Sequence, residues 1–364
     1  MTVIAAAVVA ALVVALVYLR SATPVPSGQV ASPNIPTMSG PYSATYDFVS
    51  PSTGWAVVVE YRTFESNFWI FKTTDGAAHW RQQLQNASEG GYAGARFFDA
   101  SHGFVFAGNK LFRTDDGGTT WERIFPPYAE SYAGPLVTFA SPARGWALAF
   151  DGGRARMYAT EDGGARWSLL PADFPAGAIM EPLAATFRES GEGWLGAGPY
   201  SSPTVWRTAD GGVSWRPVTV TSLSGKYTTA VRLLPGEGVL VLVIGQLGVE
   251  TALVSTDRGG SWQEFTLPLA VKNPDELLTA DARHWWAFIT YAGLVYTTAD
   301  GGRVWTQRTG AGLPQLWNGQ AAGVIDADHA WWPIVSAEHS TESALAMTSD
   351  GGVHWKFVNP PQPE

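Results

Sequence analysis

The chain contains no cysteine, which excludes disulfides, zinc–thiolate sites, thiol nucleophiles and a lipid carried on a lipoprotein-type cysteine. Charge is sparse too. Lys and Arg number 23 against 32 Asp and Glu, a net charge of -9, so there is no basic field to hold a nucleic-acid backbone. The acidic residues are dispersed rather than gathered in a tail. Histidine is limited to six residues, without metal-ligand spacing. No phosphate loop followed by Lys and a helix is present, nor a calcium loop with alternating carboxylates and a closing Glu. The expectation is no cofactor, no metal and no nucleic-acid partner.

What abounds is turn and aromatic core: 40 Gly, 24 Pro and 17 Trp, the composition of an all-β protein. The stretch Thr298-Ala299-Asp300-Gly301-Gly302-Arg303-Val304-Trp305 has six counterparts. Together they supply Asp75, Asp116, Asp162, Asp210, Asp257, Asp300 and Asp350, and Trp80, Trp121, Trp167, Trp215, Trp262, Trp305 and Trp355. Successive tryptophans lie about 41 to 50 residues apart, the period of a four-stranded propeller blade. Each copy reads as a tight turn between strands. The carboxylate accepts backbone amides that follow it, the glycines supply positive φ, and the Trp fills the wedge between neighbouring sheets. These repeats report fold rather than catalysis.

Upstream of each turn lies an apolar strand, a turn and a second strand, which begins at Gly54, Gly103, Gly145, Gly193, Gly238, Trp285 or Ala330. Apolar runs with aromatic and β-branched residues, bounded by Gly, Pro and Asp, are strand signals. The expected fold is a single seven-bladed β-propeller of four-stranded antiparallel blades. Blade 1 is expected to comprise strands at residues 43–50, 54–62, 67–74 and from 79. All blades read as complete in one continuous stretch, so closure should rest on packing of blade 1 against blade 7.

Before the propeller, Val3 to Leu19 is an unbroken apolar run of about 17 residues, near the lower limit for spanning a bilayer. No cation precedes it and Arg20 spoils a cleavage site at Ala22, which favours an uncleaved anchor over a signal peptide. Residues 21–42 carry five prolines, Ser and Gly but no charge, and read as a tether, with part of it suited to add a strand to a blade edge. The expected organisation is an anchor or signal peptide over 1–20, a linker over 21–42, the propeller over 43–360 and a tail over 361–364. Arg20, taken alone, votes for a cytoplasmic propeller. The architecture favours a membrane-anchored, extracytoplasmic one, secreted if the segment is cleaved.

The turns resemble the Asp-box, or bacterial neuraminidase, repeat. Three copies match it in full, ending at Trp121, Trp215 and Trp262; the others depart before Trp at Arg166, Val304 and His354, and the first has Ala77 and His79. Sialidases, sortilin-like receptors, xyloglucanases and assembly factors share this box, so it speaks for fold more than function. The doubled glycine and the Gly-Trp-Ala strand look most like the photosystem II stability and assembly factor family. That resemblance implies a non-enzymatic seven-bladed propeller that binds partner proteins at a membrane and bears an arginine patch. Arg96, Arg144, Arg188, Arg232 and Arg283 recur here in or near the first strands of blades.

A sialidase would need an arginine triad, an acid and a Tyr activated by Glu, with its first Arg in a Phe-Arg-Ile-Pro-like motif before the first box. No Arg lies between Arg20 and Arg62, and Arg123-Ile124-Phe125-Pro126 follows the second box. Other glycosidases need two facing carboxylates. Glu60, Glu65, Glu130, Glu181, Glu250 and Glu338 are candidates, each also explicable as a solvated loop charge. A glycan ligand therefore stands as the alternative to a protein partner. The Asp turns fix one face of the propeller. The opposite loops carry the recognition-like residues Tyr61, Arg62, Tyr128, Glu130, Tyr132, Lys226, Tyr227, Tyr291 and Trp317, and form the expected binding face.

Overall fold

The structure, a computed structural model, describes residues 35–363 except 61–65, 89–92, 109, 128–135, 152–153, 173–184, 197, 199–201, 222, 224, 226, 266, 268–270, 291, 314–316, 320 and 337–341. Pro36–Glu364 forms one compact unit. Seven antiparallel meanders compose it, each ordered A-B-C-D outward. In blade 1 these strands are Tyr42–Phe48, Gly54–Glu60, Ser66–Thr73 and Arg81–Ser88. The A strands pack on one another from blade to blade, which puts them innermost. The expected anchor helix falls within residues 1–34, outside the described residues. Among the described residues no helix is long and apolar enough to cross a membrane.

A chain of aromatic rings explains the Gly-Trp signal. At the end of strand A, Phe48, Phe97, Phe139 and Phe187 stand directly opposite Gly54, Gly103, Gly145 and Gly193. A Cβ on any of these glycines would come within 2.2–2.4 Å of the ring, so only hydrogen fits. The other side of the ring receives the second residue of strand B from the preceding blade. Trp55 stacks on Phe97 at 3.5 Å, Phe104 on Phe139 at 3.6 Å and Trp146 on Phe187 at 3.9 Å. Blade 5 has Leu233 opposite Val239 and blade 6 has Thr279 opposite Trp285; with no Phe ring to seat, the glycine is dispensable there. The wedge between blades is thus shared. The strand-B aromatics Trp55, Trp146 and Trp194 are fully buried, and the turn tryptophans pack edge-on to the same rings, as Trp121 does on Phe97 and Trp215 on Phe187.

The Asp turns are locked by two side chains rather than one. In all seven the Thr or Ser hydroxyl donates to the Asp carboxylate at 2.7–2.9 Å. The same hydroxyl oxygen accepts the amide four residues on. The carboxylate in turn accepts the amide of the residue before Trp at 2.8–3.0 Å. Where Thr120, Ser214 and Ser261 add a hydroxyl bond to the second carboxylate oxygen, His79 and His354 place Nδ1 there at 2.8 and 2.7 Å. These two departures from the Asp-box pattern preserve its chemistry. In blades 1, 2, 3, 4, 6 and 7 the glycine after Asp also donates to the A–B turn of its own blade, so both turns occupy one face.

Ring closure differs from the expectation of seven self-contained blades. The outer edge of blade 7 is built from two segments, Lys356–Val358 and Met38–Ser39, both paired to strand C, Glu342–Thr348. Met38 is fully buried against Ala56, Val58, Trp69 and Phe71 of blade 1. The folded chain therefore begins before residue 43, and the end of the tether belongs to the ring. Behind this strand, Trp331 of blade 7 meets Phe48 of blade 1 at 5.2 Å, tilted by 52° where the corresponding rings of blades 1 to 4 stack. The tail joins in: Trp80 donates its indole N–H to the Asn359 carbonyl at 2.7 Å, and Gln362 bonds the Thr37 carbonyl.

Candidate functional site

Of the expected binding face, Tyr61, Arg62, Tyr128, Glu130, Tyr132, Lys226 and Tyr291 lie outside the described residues. Trp317 begins strand A of blade 7, its backbone opposite Ser336. Tyr227 is half-buried, folds over Gly225 and packs on the cluster shared by blades 4 and 5. Its hydroxyl meets Glu250 in strand C of blade 5. Desolvation, with help from the Glu250 charge and hydrogen bond, raises the phenol above its ordinary value. Of the candidate carboxylates, Glu60 is buried and accepts a bond from Asn67 at 2.9 Å, while Glu65, Glu130, Glu181 and Glu338 lie outside the described residues. Among the described residues no group of three or more His, Asp or Glu could hold a metal ion.

The five recurrent arginines do not converge. They sit one per blade from blade 2 to blade 6, and three of them bind the following blade. Arg144 reaches the Glu189 carbonyl, Arg188 the Leu234 and Gly238 carbonyls, and Arg232 the Pro274 carbonyl and Asp275. Arg283 donates to the Ala299 carbonyl within its own blade. Arg96 is exposed, its charge close to Asp47 in strand A of blade 1.

A feature that sequence reasoning missed lies on the Asp-turn face at the seam of blades 4 and 5. Glu192, buried in the A–B turn of blade 4, faces three arginines: Arg188 at 3.5 Å, Arg207 at 3.4 Å and Arg258 at 3.6 Å. Arg188 and Arg258 face its Oε2, while Oε1, which faces Arg207, also accepts the Trp194 indole N–H at 3.3 Å. Arg258 also pairs with Glu237 at 2.6 Å and occupies, at φ 56°, the position that glycine takes in the other Asp turns. That arginine at a glycine position was the available signal. Beside the seam, the inner ends of blades 3 to 6 line a shallow, open depression of about 570 Å³, with Phe187, Leu233 and Leu234 on one side and Arg188, Glu189 and Thr279 on the other. The triad's carboxylate is thus supplied by the protein itself, and the depression is open to a ligand of mixed character.

The class that these elements define is a seven-bladed β-propeller of four-stranded antiparallel blades. No family model matches the chain. Over 141 residues it is 30% identical to the photosystem II assembly lipoprotein Ycf48 of Synechococcus sp. (strain CC9902), covering 37% of this chain and 37% of that protein. That stretch shows homology to Ycf48, although the match spans little more than a third of the relative's length. Among solved structures, YCF48 bound to D1 peptide aligns with TM-score 0.54 at 18% identity, over 90% of this chain and 100% of the other. YCF48 from Cyanidioschyzon merolae aligns with TM-score 0.53 at 17% identity, over 87% and 94%. A puromycin-hydrolyzing peptidase of Mycobacterium tuberculosis aligns with TM-score 0.58 at 12% identity, over 89% of this chain and 53% of that one. At such identities the likeness concerns the fold alone.

Proposed function

We propose that this chain is a non-enzymatic assembly or stability factor of the Ycf48 kind, an Asp-box propeller held at a membrane surface, where it binds an extended segment of a membrane-complex subunit. The observation that carries this reading is the homology to an assembly lipoprotein, supported by a fold shared with a YCF48 that has been solved with a D1 peptide. This chain has no cysteine to take a lipid, so the apolar run 3–19 supplies the anchor, with the propeller on the extracytoplasmic side. Partner contact falls on the loop face opposite the Asp turns, through Tyr61, Tyr128, Tyr132, Tyr291 and Trp317. Affinity capture from membranes of the source organism tests the reading. Recovery of a membrane-complex subunit, lost when Tyr132 and Trp317 are both changed to Ser, supports it.

The depression beside the arginine seam favours a second reading, in which the partner enters at the Asp-turn mouth of the ring. Charge reversal of Arg258 would then block capture and the loop-face pair would not. The glycan alternative requires hydrolysis or binding of sialosides or β-glucans by the purified protein.

A further inference from the structure

Strand B has one position that the other blades fill or bury and blade 2 leaves open. It lies three residues beyond the residue paired with the Thr or Ser of the Asp turn. Val57, Leu148, Leu242 and Phe288 occupy it in blades 1, 3, 5 and 6, at 0–2% exposure, each turned to the next blade. Pro333 is buried there in blade 7. Blade 4 has Gly196, whose Cβ would lie 2.1 Å from the Thr229 carbonyl oxygen, so backbone of blade 5 fills the place. In blade 2 the residue is Phe106, and 48% of it is exposed.

A lone apolar side chain on a surface is ordinary. Phe106 differs because its place belongs to the core in the other blades. Its ring also has a seat: Gly94 stands opposite in strand A, where a Cβ would come within 2.3 Å of the ring. Glycine inside a strand marks such a close approach. Phe106 is the fourth residue of Gly103–Ala107, so it stands at the end of the strand where the B–C loops emerge, on the face opposite the Asp turns. The nearby cations are engaged elsewhere. Arg96 lies over the Phe98 ring at 5.7 Å, and Lys110 reaches the Asn86 side chain and the Ala87 carbonyl. What blade 2 presents there is an uncharged aromatic ring, which is matched by an apolar group.

We infer that Phe106 is a contact residue of the loop face, which receives one apolar side chain of the partner's segment in the place that core residues fill in the other blades. The inference rests on the loop-face reading above. It adds to that face a residue carried by a strand, which a reading of loop composition passes over.

The chain has no cysteine, so a single introduced thiol reports its own accessibility. In the full chain in detergent, Phe106→Cys is expected to react with N-ethylmaleimide on the order of a hundredfold or more faster than Val57→Cys, which stands at the same place in blade 1. Leu242→Cys serves as the buried control if Val57→Cys folds poorly. Reaction at 106 as slow as the buried control would mean that the chain itself covers this place, and would overturn the inference. In capture from solubilised membranes, Phe106→Ser is expected to weaken binding of the subunit recovered by the wild type about tenfold or more, at a melting temperature close to wild type, while Phe106→Leu retains it. Capture unaffected by Phe106→Ser but abolished by Tyr132→Ser/Trp317→Ser overturns the inference and leaves the loop-face reading standing. Capture unaffected by either variant overturns both.

Discussion

Met38 pairs with Ser343 across an antiparallel ladder that ties the residues preceding blade 1 to the third strand of blade 7. The Met38 side chain is fully buried on Ala56, Val58, Trp69 and Phe71 of blade 1, so one residue engages both ends of the ring.

Removal of residues 1–35 is therefore expected to leave a cooperative fold, whereas removal of residues 1–39 weakens it. Met38→Ala in the longer form should cost about 2–5 kcal/mol, as other buried Met truncations do. Urea unfolding of the three proteins measures this, and equal stability of the 36-start and 40-start chains would show that the strand closes nothing.

Gly103 and Phe97 are coupled by space. A Cβ at 103 would lie 2.2 Å from the Phe97 ring, so Gly103→Ala should destabilise by about 1–3 kcal/mol through overpacking. Adding Phe97→Leu, which imitates Leu233 opposite Val239 in blade 5, should recover part of that loss in a double-mutant cycle. Strict additivity would refute the coupling.

The turn tryptophans differ in burial, and their truncation should follow it. Trp215→Ala removes a buried ring from the cluster of blades 3 and 4 and should cost about 3–5 kcal/mol. Trp305→Ala, from a partly buried site at the edge of the blade 5 and 6 cluster, should cost less. Thermal unfolding ranks the two, and the opposite order would mean that wedge packing is not what these residues supply.

Stability should depend on pH in two windows of opposite sign. Asp75, Asp116, Asp257 and Asp350 are lowered from 3.8 to about 2, chiefly by the His79 amide, the Thr120 hydroxyl, the Ser255 hydroxyl and the His354 amide respectively. Their contribution is present above the unfolded value and is lost as pH falls from 3.8 toward about 2. Asp47 is the reverse case: burial raises it to about 6 against the Phe97 amide and the Arg96 charge, so its contribution fades as pH rises through that value. Asp47→Asn should therefore gain stability over wild type at pH 7.5 and not at pH 4, measured by denaturant titration.

The repeat made the fold legible because each blade must solve the same turn and wedge problem. Strand B of blade 5, expected to begin near Gly238, runs Val239–Gly245, and blade 1 departs from expectation by only a residue or two at most strand ends. Closure was less legible. Met38 is one apolar residue in a Pro-rich stretch, and its pairing with a strand some 300 residues away leaves no local pattern. The Glu192 seam was hidden for the same reason, since Arg188, Arg207 and Arg258 meet only when two blades pack. Tyr227 shows the limit of reading loops by composition. Its ring packs locally on blades 4 and 5, and nothing in the sequence distinguishes that from a waiting contact.

The most direct measurement is partner capture by the full-length chain from solubilised membranes of its source, with three proteins compared at equal melting temperature. The wild type and a variant with Arg166 and Arg303 changed to Glu are expected to recover the same membrane-complex subunit, and the Tyr132→Ser/Trp317→Ser variant is expected to lose it. Capture unaffected by the loop-face pair but abolished by the Asp-turn pair, or turnover of a sialoside or β-glucan by the purified wild type, would contradict the account.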